Sequence, residues 1–270
     1  MIHRPRGWKV GCVVGCDHAP AVDWGVLKRR CRIIRDVKPD WMIHLGDVFD
    51  AQAGGPPNRF FDKDRSLLSE YRAAVKVLTA YREAATTGRS RAGRRKAKCY
   101  WLEGNHEARV RTADRMPKSL LGLLDYRTQG ELGREWRRWQ WRPYISPHKG
   151  LPDDLQGMVR FGQVTLIHGW KFGGNSDRDE AQTYGVEYGL TVRAHTHRPI
   201  GVTRGMVTTT VAMNRWYANV GWGGDLSKFK MGYAGRRDTT LWGSAILVFA
   251  CDPTVVAANE RKWSAELIEV

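Results

Sequence analysis

Five short polar segments lie at intervals along the first three quarters of the chain, and most of them follow an apolar run that is typical of a β-strand. They occupy residues 16–18 (CDH), 46–50 (GDVFD), 104–107 (GNHE), 168–169 (HG) and 195–197 (HTH). Loops at the ends of parallel strands converge in space. The spacing therefore predicts that carboxylates, imidazoles and one amide meet at a single edge of a sheet. Such a set suits a centre of two divalent metal ions, a kind of site that hydrolyses phosphate esters.

The segments between these motifs predict alternating strands and helices. Residues 9–15 and 41–45 are apolar runs, and apolar side chains recur at helical spacing between an N-cap at Asp23 and Pro39. A strand, a helix and a second strand in this length form a βαβ unit, which implies a parallel pair. Further strands are predicted at residues 99–102, 159–161, 164–168, 190–194, 201–210, 211–220, 241–250 and 262–270. Further helices are predicted at residues 64–85, 107–115, 119–124, 130–141 and 178–188.

The composition is that of an ordinary globular protein. The chain has 270 residues, 42% of them hydrophobic and 27% charged, and no apolar run approaches the roughly 20 residues of a membrane span. We predict one domain over residues 1–270, with a helical and basic insertion at about residues 51–98. The five cysteines contain no CxxC pair and the N-terminal segment is unlike a signal peptide, so we expect a cytoplasmic protein that contacts no membrane.

The charge of the chain favours anionic partners. Forty-four basic residues against 28 acidic ones give a net charge of +16, and a field of that sign attracts polyanions. The basic stretch at residues 88–98 is either a substrate contact or a solvated linker. The Arg- and Trp-rich stretch at residues 130–142 can stack on bases, but its tryptophans are spaced for packing against the protein body. DNA or RNA is therefore a candidate partner, and small anionic substrates are the alternative.

The motifs together resemble those of the calcineurin-like metallophosphoesterase superfamily, and the compact bacterial and phage members are the most similar in character. The resemblance rests on Gly-Asp-x-x-Asp, Gly-Asn-His-Glu and His-x-His in this order, each after a predicted strand, and it covers about residues 9–199. It implies a four-layer α/β/β/α sandwich, in which two mixed β-sheets are flanked by helices and the metals lie at one rim. The motifs are specific for the superfamily and carry little information about the substrate.

The resemblance also implies the ligands of two divalent ions, with Mn²⁺ as the first choice and Zn²⁺, Fe or Ni²⁺ as alternatives. Asp47 is expected to bridge the two ions. Asn105, His168 and His195 would bind the second ion. His18 and His197 would bind the first, and alternate residues of an extended segment point the same way, so one loop can supply both His195 and His197.

The first motif departs from the superfamily pattern, which has Asp-x-His. A gapless alignment puts Cys16 in the position of the aspartate, whereas a slip of one residue makes Asp17 the ligand beside His18. A thiolate is a softer ligand and favours Zn or Fe over Mg. Both assignments stay open from the sequence. His44 and His148 have no motif around them, and we assign the former to a strand interior and the latter to the surface.

The remaining expected site residues serve catalysis and substrate binding. By resemblance, His106 acts as a general acid towards the leaving group, and Asp50 orients its ring and keeps it protonated. Arg109 and Arg198 follow two of the motifs and are candidate phosphate contacts together with Asn105.

The expected function is hydrolysis of a phosphate ester by a hydroxide that bridges the two metals. A phosphodiesterase, with nucleic acid as a candidate substrate, is the first hypothesis. A phosphomonoesterase is the alternative within the enzyme class. A third hypothesis is a module that binds nucleic acid or protein and whose departure in the first motif leaves only one metal.

Overall fold

Two β-sheets stacked face to face form the centre of the protein. We describe it from a computed structural model that covers residues 2–51, 66–87, 96–111, 122–145, 157–206, 212–227 and 239–270. The first sheet contains β1 (Lys9–Val14), β2 (Trp41–His44), β3 (Lys98–Leu102), β4 (Gln140–Arg142), β10 (Ala245–Cys251) and β11 (Trp263–Glu269). Its order is β11-β10-β1-β2-β3-β4. The strands from β1 to β4 run parallel, while β10 is antiparallel to both of its neighbours.

The second sheet is smaller and also mixed. It contains β5 (Met158–Phe161), β6 (Val164–Ile167), β7 (Leu190–Arg193), β8 (Pro199–Met206) and β9 (Ala212–Val220), in the order β5-β6-β7-β9-β8. The central strands β6, β7 and β9 are parallel, and the two outer strands are antiparallel to their neighbours. Both sheets therefore have a parallel core whose carboxyl strand ends carry loops.

Five helices connect and cover the sheets in the described part of the chain: α1 (Trp24–Val37), α2 (Leu67–Thr86), α3 (Asn105–Ala108), α4 (Gly130–Trp136) and α5 (Ser176–Tyr184). Helix α1 begins as predicted, because the Asp23 carboxylate accepts hydrogen bonds from the backbone N–H groups of Gly25 and Val26. No helix in the described ranges has both the length and the apolar character needed to cross a membrane.

Strand alternation divides the core into two parts. Val13 and Ile43 point into the space between the sheets, where they meet Leu166, Val192 and Phe249. Every one of these side chains is buried. This inner layer joins the two sheets into one body.

The opposite face of the first sheet packs against helices. Ile34 of α1 and Leu78 of α2 pack with Met42 and Val248 of the sheet. Helix α5 covers the outer face of the second sheet, where it contacts β7 and β9. The layers are thus helix, sheet, sheet and helix, which confirms the expected four-layer α/β/β/α sandwich.

Some predicted elements differ from the structure. The helix predicted at residues 130–141 ends at Trp136, because residues 140–142 pair with β3 as an edge strand and gain backbone hydrogen bonds there. The helix predicted from residue 107 is the single turn α3, Asn105–Ala108, followed by a turn to Arg111. Residues 122–124 of the helix predicted at 119–124 form a turn, and its first half lies outside the described residues. The stretch 88–95 and His148 also lie outside them. Of the insertion expected at 51–98, the structure describes mainly α2.

Candidate metal centre

The five motifs lie together at the carboxyl ends of β1, β2, β3, β6 and β7. Hydrogen bonds between neighbouring loops fix their relative positions: the His18 N–H donates to the Asp47 carbonyl at 2.9 Å, and the Ala194 N–H donates to the His168 carbonyl at 3.1 Å. Parallel strands of both sheets contribute, so the site lies at one rim of the sandwich.

The backbone at this rim adopts conformations that residues other than glycine rarely adopt. Left-handed φ values occur at five motif residues, namely Cys16 (53°), His18 (50°), Asp47 (52°), His195 (68°) and His197 (63°). Each such residue costs on the order of 1–3 kcal/mol, so the surrounding structure must hold it in place. Residues of this kind cluster at functional sites, and here they aim their side chains at one another.

A first group of possible ligands consists of Cys16, His18, Asp47 and His197. Their ligand atoms all lie within 4.8 Å of one another, and all four residues are buried. His18 Nδ1 lies 2.7 Å from a carboxylate oxygen of Asp50, to which it donates. In a neutral ring this leaves the lone pair on Nε2, and that atom lies 2.9 Å from Nε2 of His197.

A second group consists of Asp47, His168 and His195, which also lie within 4.8 Å of one another. The carbonyl oxygen of Leu45 accepts a hydrogen bond from His168 Nδ1 at 2.7 Å, which in a neutral ring leaves the lone pair on Nε2. That nitrogen lies 3.1 Å from Oδ1 of Asn105, 3.1 Å from Nδ1 of His195 and 3.3 Å from Oδ2 of Asp47. Asp47 belongs to both groups.

The donor atoms of both groups fit divalent cations. In each group, lone pairs of nitrogen and oxygen face one another in a buried space, and such an arrangement requires a proton or a cation between them. Burial lowers the pKa values of His195 and His197 well below the usual range, so these rings are neutral and supply no extra proton. Although burial opposes it, neighbouring His168 and His106 hold the pKa of Asp47 well below its usual value, so it is a carboxylate. Histidines whose second ring nitrogen donates to a carboxylate or carbonyl are typical of metal sites.

The structure separates the two candidates of the first motif. The Cys16 sulfur lies in the first group and accepts a hydrogen bond from the His195 N–H at 3.2 Å. Burial, with the nearby charge of Asp47, raises the pKa of the Cys16 thiol well above its usual value, so the metal-free form is a thiol. A coordinated cation deprotonates a thiol ligand outright.

Asp17 points away from the two groups, into the space beneath α1. Its Oδ1 accepts hydrogen bonds from Arg30 at 3.0 Å and from the Tyr81 hydroxyl at 3.3 Å, and its Oδ2 lies 2.9 Å from Nε2 of His44. All four side chains are fully buried. Burial alone would raise the pKa of Asp17, but His44 and Arg30 lower it, so the carboxylate is charged.

His106 lies beside both groups, and its Nδ1 lies 2.9 Å from the carbonyl oxygen of Asp50, to which it donates. The Asp50 carboxylate is 3.4 Å from the same nitrogen and closer to His18, so Asp50 orients both rings. Burial lowers the pKa of His106 and outweighs the opposing effect of Asp47 and Asp50. The shortest contact of the His106 ring is therefore with the backbone carbonyl of Asp50, whereas the expected contact was with its carboxylate, and burial works against the expected protonation.

A cleft of about 200 Å³ opens onto these residues. Arg109 lines it, and one of its Nη atoms donates to the Asp50 carbonyl at 3.2 Å. Asn105 lines it as well, whereas Arg198 is half-buried and is not among the described lining residues. Two aromatic side chains, Phe172 and Trp242, complete the lining.

The geometry agrees with a comparison to known families. The family model of the calcineurin-like phosphoesterases matches residues 12–199. The chain belongs to the calcineurin-like phosphoesterase family.

Three solved structures match the chain at low sequence identity. A metallophosphoesterase from Sphaerobacter thermophilus is 16% identical, with 97% of this chain and 88% of that chain covered and a TM-score of 0.45. The phosphoesterase Yfce from E. coli is 14% identical, with 92% and 97% covered and a TM-score of 0.42. Nuclease MPE from Pseudomonas putida is 13% identical, with 100% and 99% covered and a TM-score of 0.37. No curated protein matches the chain.

Glu107 is a residue of the candidate metal centre that was not predicted from the sequence. Its buried carboxylate accepts hydrogen bonds from the backbone N–H groups of Asp47 and Gly104, both at 2.9 Å, and from that of Val48. It therefore ties the loop after β2 to the loop after β3. The capping-box spacing from Gly104 to Glu107 was a signal for this role.

A second buried network that the sequence analysis missed supports the loop that carries His195 and His197. Arg193 pairs with Glu180 at 2.8 Å and with Asp177 at 3.5 Å. Asn219 donates to Asp177, to the Ala194 carbonyl and to the Thr196 hydroxyl. An arginine inside the apolar strand β7 was the signal, because a charge at such a position requires a buried partner.

Proposed function

We propose that this chain is a dinuclear metal-dependent phosphodiesterase. The observation that carries the proposal is the position of Asp47, whose carboxylate belongs to both buried ligand groups. One carboxylate shared between two such groups can hold two cations side by side. Two adjacent cations form a clamp for the attacking and leaving oxygens of a phosphate ester.

The two groups define the proposed ligands. Cys16, His18, Asp47 and His197 hold the first ion, and the thiolate among them favours Zn²⁺ or Fe over Mg²⁺. The second ion takes Asp47, Asn105, His168 and His195, a set of oxygen and imidazole donors that also suits Mn²⁺. Both sets offer four donors, which argues against a module that has lost one site.

The residues around the ions divide the work of catalysis. When bound, the ions supply Lewis-acid polarisation of the phosphoryl oxygens and an acidified water. His106 presents Nε2 on the side of Asp47, at 3.9 Å from the carboxylate, while Asp50 holds its other nitrogen. A protonated His106 with a lowered pKa is a ready proton donor to the leaving oxygen. Arg109 lines the same cleft, where its guanidinium is the proposed contact for the phosphate.

The size of the cleft and the charge of the chain support a polymeric diester. The cleft of about 200 Å³ is smaller than the roughly 300–1,000 Å³ that encloses a drug-sized ligand. It has room for a phosphate and its immediate substituents, while a longer substrate lies across the surface. A net charge of +16 on the chain attracts polyanions such as nucleic acid. DNA and RNA are therefore the proposed substrates, and a phosphomonoester is the alternative.

The test is hydrolysis of bis-p-nitrophenyl phosphate by chelator-stripped protein, with and without added Mn²⁺, Zn²⁺ or Fe²⁺. Metal-restored turnover, together with two metal ions per chain, supports the proposal. The same assay with p-nitrophenyl phosphate identifies a phosphomonoesterase if only the monoester is hydrolysed. Absence of turnover on both compounds by folded, metal-loaded protein would refute both enzymatic functions.

Nucleic acid as the substrate has its own measurement. Binding of single- and double-stranded oligonucleotides should weaken steeply between 50 and 200 mM salt, since each phosphate contact releases counterions. The KM for bis-p-nitrophenyl phosphate should change little over the same range. Oligonucleotide affinity that is insensitive to salt would contradict nucleic acid as the partner.

A further inference from the structure

An aromatic ring lies beside each of the two ligand groups at the cleft. The centroid of the Phe172 ring lies 4.2 Å from that of His195, which belongs to the second group, and the interplanar angle is 52°. The Trp242 ring lies 4.4 Å from the ring of His197, which belongs to the first group, and is perpendicular to it at 89°. Both rings line the cleft. The two ends of the proposed dinuclear centre are thus each flanked by an aromatic wall.

The Phe172 side chain is exposed to solvent, but hydrogen bonds hold the backbone of its loop in place. Its side chain is 59% exposed, so burial in the core does not explain its position. The two preceding residues, Trp170 and Lys171, donate their backbone N–H groups to Glu180, and the Lys171 carbonyl accepts from Arg193 at 2.8 Å. The loop therefore presents an apolar ring to solvent at the cleft without being loose.

The Trp242 wall is supported from behind. Trp222 packs against Trp242 with ring centroids 5.0 Å apart and lies parallel to His197 at 5.4 Å and 21°. Trp222 itself is buried, whereas Trp242 is only partly buried. This arrangement fixes the plane of Trp242 at the rim of the first ligand group.

We infer that Phe172 and Trp242 each stack on a planar group of the substrate. The two planar groups belong to the two ester substituents, one on each side of the scissile phosphate. The inference rests on the proposed function of the same site. A phosphomonoester has only one substituent, so two walls suit a diester. Nucleobases and aryl groups are the planar groups of the right kind, since stacking on aromatic side chains tolerates any base. The substrate class is therefore a diester with a ring on each side, such as an internucleotide linkage.

Substrates with two rings and with one ring test the inference. Bis-p-nitrophenyl phosphate carries two rings, and methyl p-nitrophenyl phosphate carries one ring with the same leaving group. Phe172→Leu and Trp242→Leu should each raise the KM of the two-ring diester about fivefold to 100-fold and leave kcat within about twofold. With the one-ring diester, only the substitution at the wall that the single ring occupies should raise KM.

Leucine keeps the apolar bulk of a ring but lacks its flat face, so it separates stacking from apolar contact. Trp24→Leu serves as the matched control, because Trp24 is 39% exposed and does not belong to the described cleft lining. Trp242→Phe should restore the KM that Trp242→Leu loses. An unchanged KM for the two-ring diester in both leucine variants would overturn the inference. Equal increases for the two diesters in both variants would overturn it as well.

A binding measurement keeps this test separate from the proposed function. Thymidylyl-thymidine and dimethyl phosphate are titrated into wild type and both leucine variants by calorimetry, under conditions without turnover. Weaker binding of the dinucleotide alone supports the walls even if no diester is hydrolysed. Equal binding of the dinucleotide to all three proteins refutes them even if the enzyme is active. If Trp242→Leu does not fold, as judged by circular dichroism, the Phe172 result decides by itself.

Discussion

Replacement of Asp17 by Asn should destabilise the protein without removing a metal. Its carboxylate is fully buried and neutralises Arg30 at 3.0 Å, so the substitution leaves an uncompensated buried guanidinium. Breaking a buried ion pair in this way costs about 3–5 kcal/mol. At roughly 2–4 °C per kcal/mol for a domain of similar size, the melting temperature should fall by about 6–20 °C.

The assay combines urea unfolding and thermal melting with a metal count by plasma mass spectrometry. Cys16→Ala is the matched control, because the Cys16 sulfur lies in the first ligand group and Asp17 does not. Asp17→Asn should keep two metals per chain and lose stability, whereas Cys16→Ala should lose one metal. The opposite pattern, with one metal lost from Asp17→Asn and stability reduced by less than about 1 kcal/mol, would show that Asp17 is the ligand.

A double-mutant cycle checks the physical cause. Arg30→Met should also be costly, because His44 and Tyr81 are then the hydrogen-bond partners that the described residues leave to the Asp17 carboxylate. With both charges removed, the double variant should be more stable than the sum of the single losses predicts, by about 0.5–3 kcal/mol. Simple additivity would mean that Asp17 and Arg30 act independently, and the argument from a buried ion pair would fail.

Three further predictions concern the catalytic rim. His106→Ala should retain two metals and lose about 10²–10⁴ in kcat, measured on bis-p-nitrophenyl phosphate, because it removes only a proton donor; unchanged turnover would exclude that role. Glu107→Gln puts an amide N–H₂ group opposite backbone N–H groups. We therefore expect a free energy of unfolding, measured in urea, that is lower by about 1–3 kcal/mol, and about 10–100-fold weaker metal binding. Wild-type values for both would contradict the role of Glu107 in joining the two loops. Gly104→Ala should abolish metal binding, because a Cβ there would overlap the Asp47 carboxylate and backbone nitrogen; two retained metals would show that the loops can shift apart.

The motifs were predictable because each follows a strand, and strand ends define where loops converge. The identity of Asp47 as the residue shared by two groups needed only its place after residues 41–45 and the family resemblance. The backbone angles were not predictable. Left-handed φ values at His195 and His197 aim both rings inward. Histidine adopts such angles more often than most non-glycine residues do, but they remain uncommon, and the local sequence does not specify them at these two positions.

The burial of Arg30 could have been predicted, although it was not. Val26, Leu27, Cys31 and Ile34 are the buried apolar residues of α1, and Arg30 lies on the same stripe. A charge on an apolar stripe requires a buried partner of opposite charge. The nearby carboxylate was Asp17, one of the two candidates of the first motif, and its pairing with Arg30 favours Cys16 as the proposed metal ligand.

The strand at residues 140–142, in contrast, could not be predicted from the local sequence. Trp136 and Trp139 are spaced as on a helix, and local sequence favours a continuous helical turn there. The outcome depends instead on β3, whose open edge accepts Gln140–Arg142 as a parallel neighbour. A partner that lies some forty positions away in sequence is a tertiary effect, which local patterns do not contain.

The exchange of an aspartate for Cys16 leaves the charge of the proposed centre unchanged. The Asp17 charge is neutralised by Arg30 within its own buried network, so it adds nothing to the metal sites. With two divalent cations bound, a Cys16 thiolate and the Asp47 carboxylate supply the only two negative charges among the proposed ligands, because the histidines and Asn105 are neutral. The two cations and these two charged ligands together then carry about +2, whichever of the two residue types occupies the first position, and a positive centre of this kind attracts a phosphodiester anion. The thiolate therefore changes which metal is preferred and leaves the electrostatic basis of substrate binding intact.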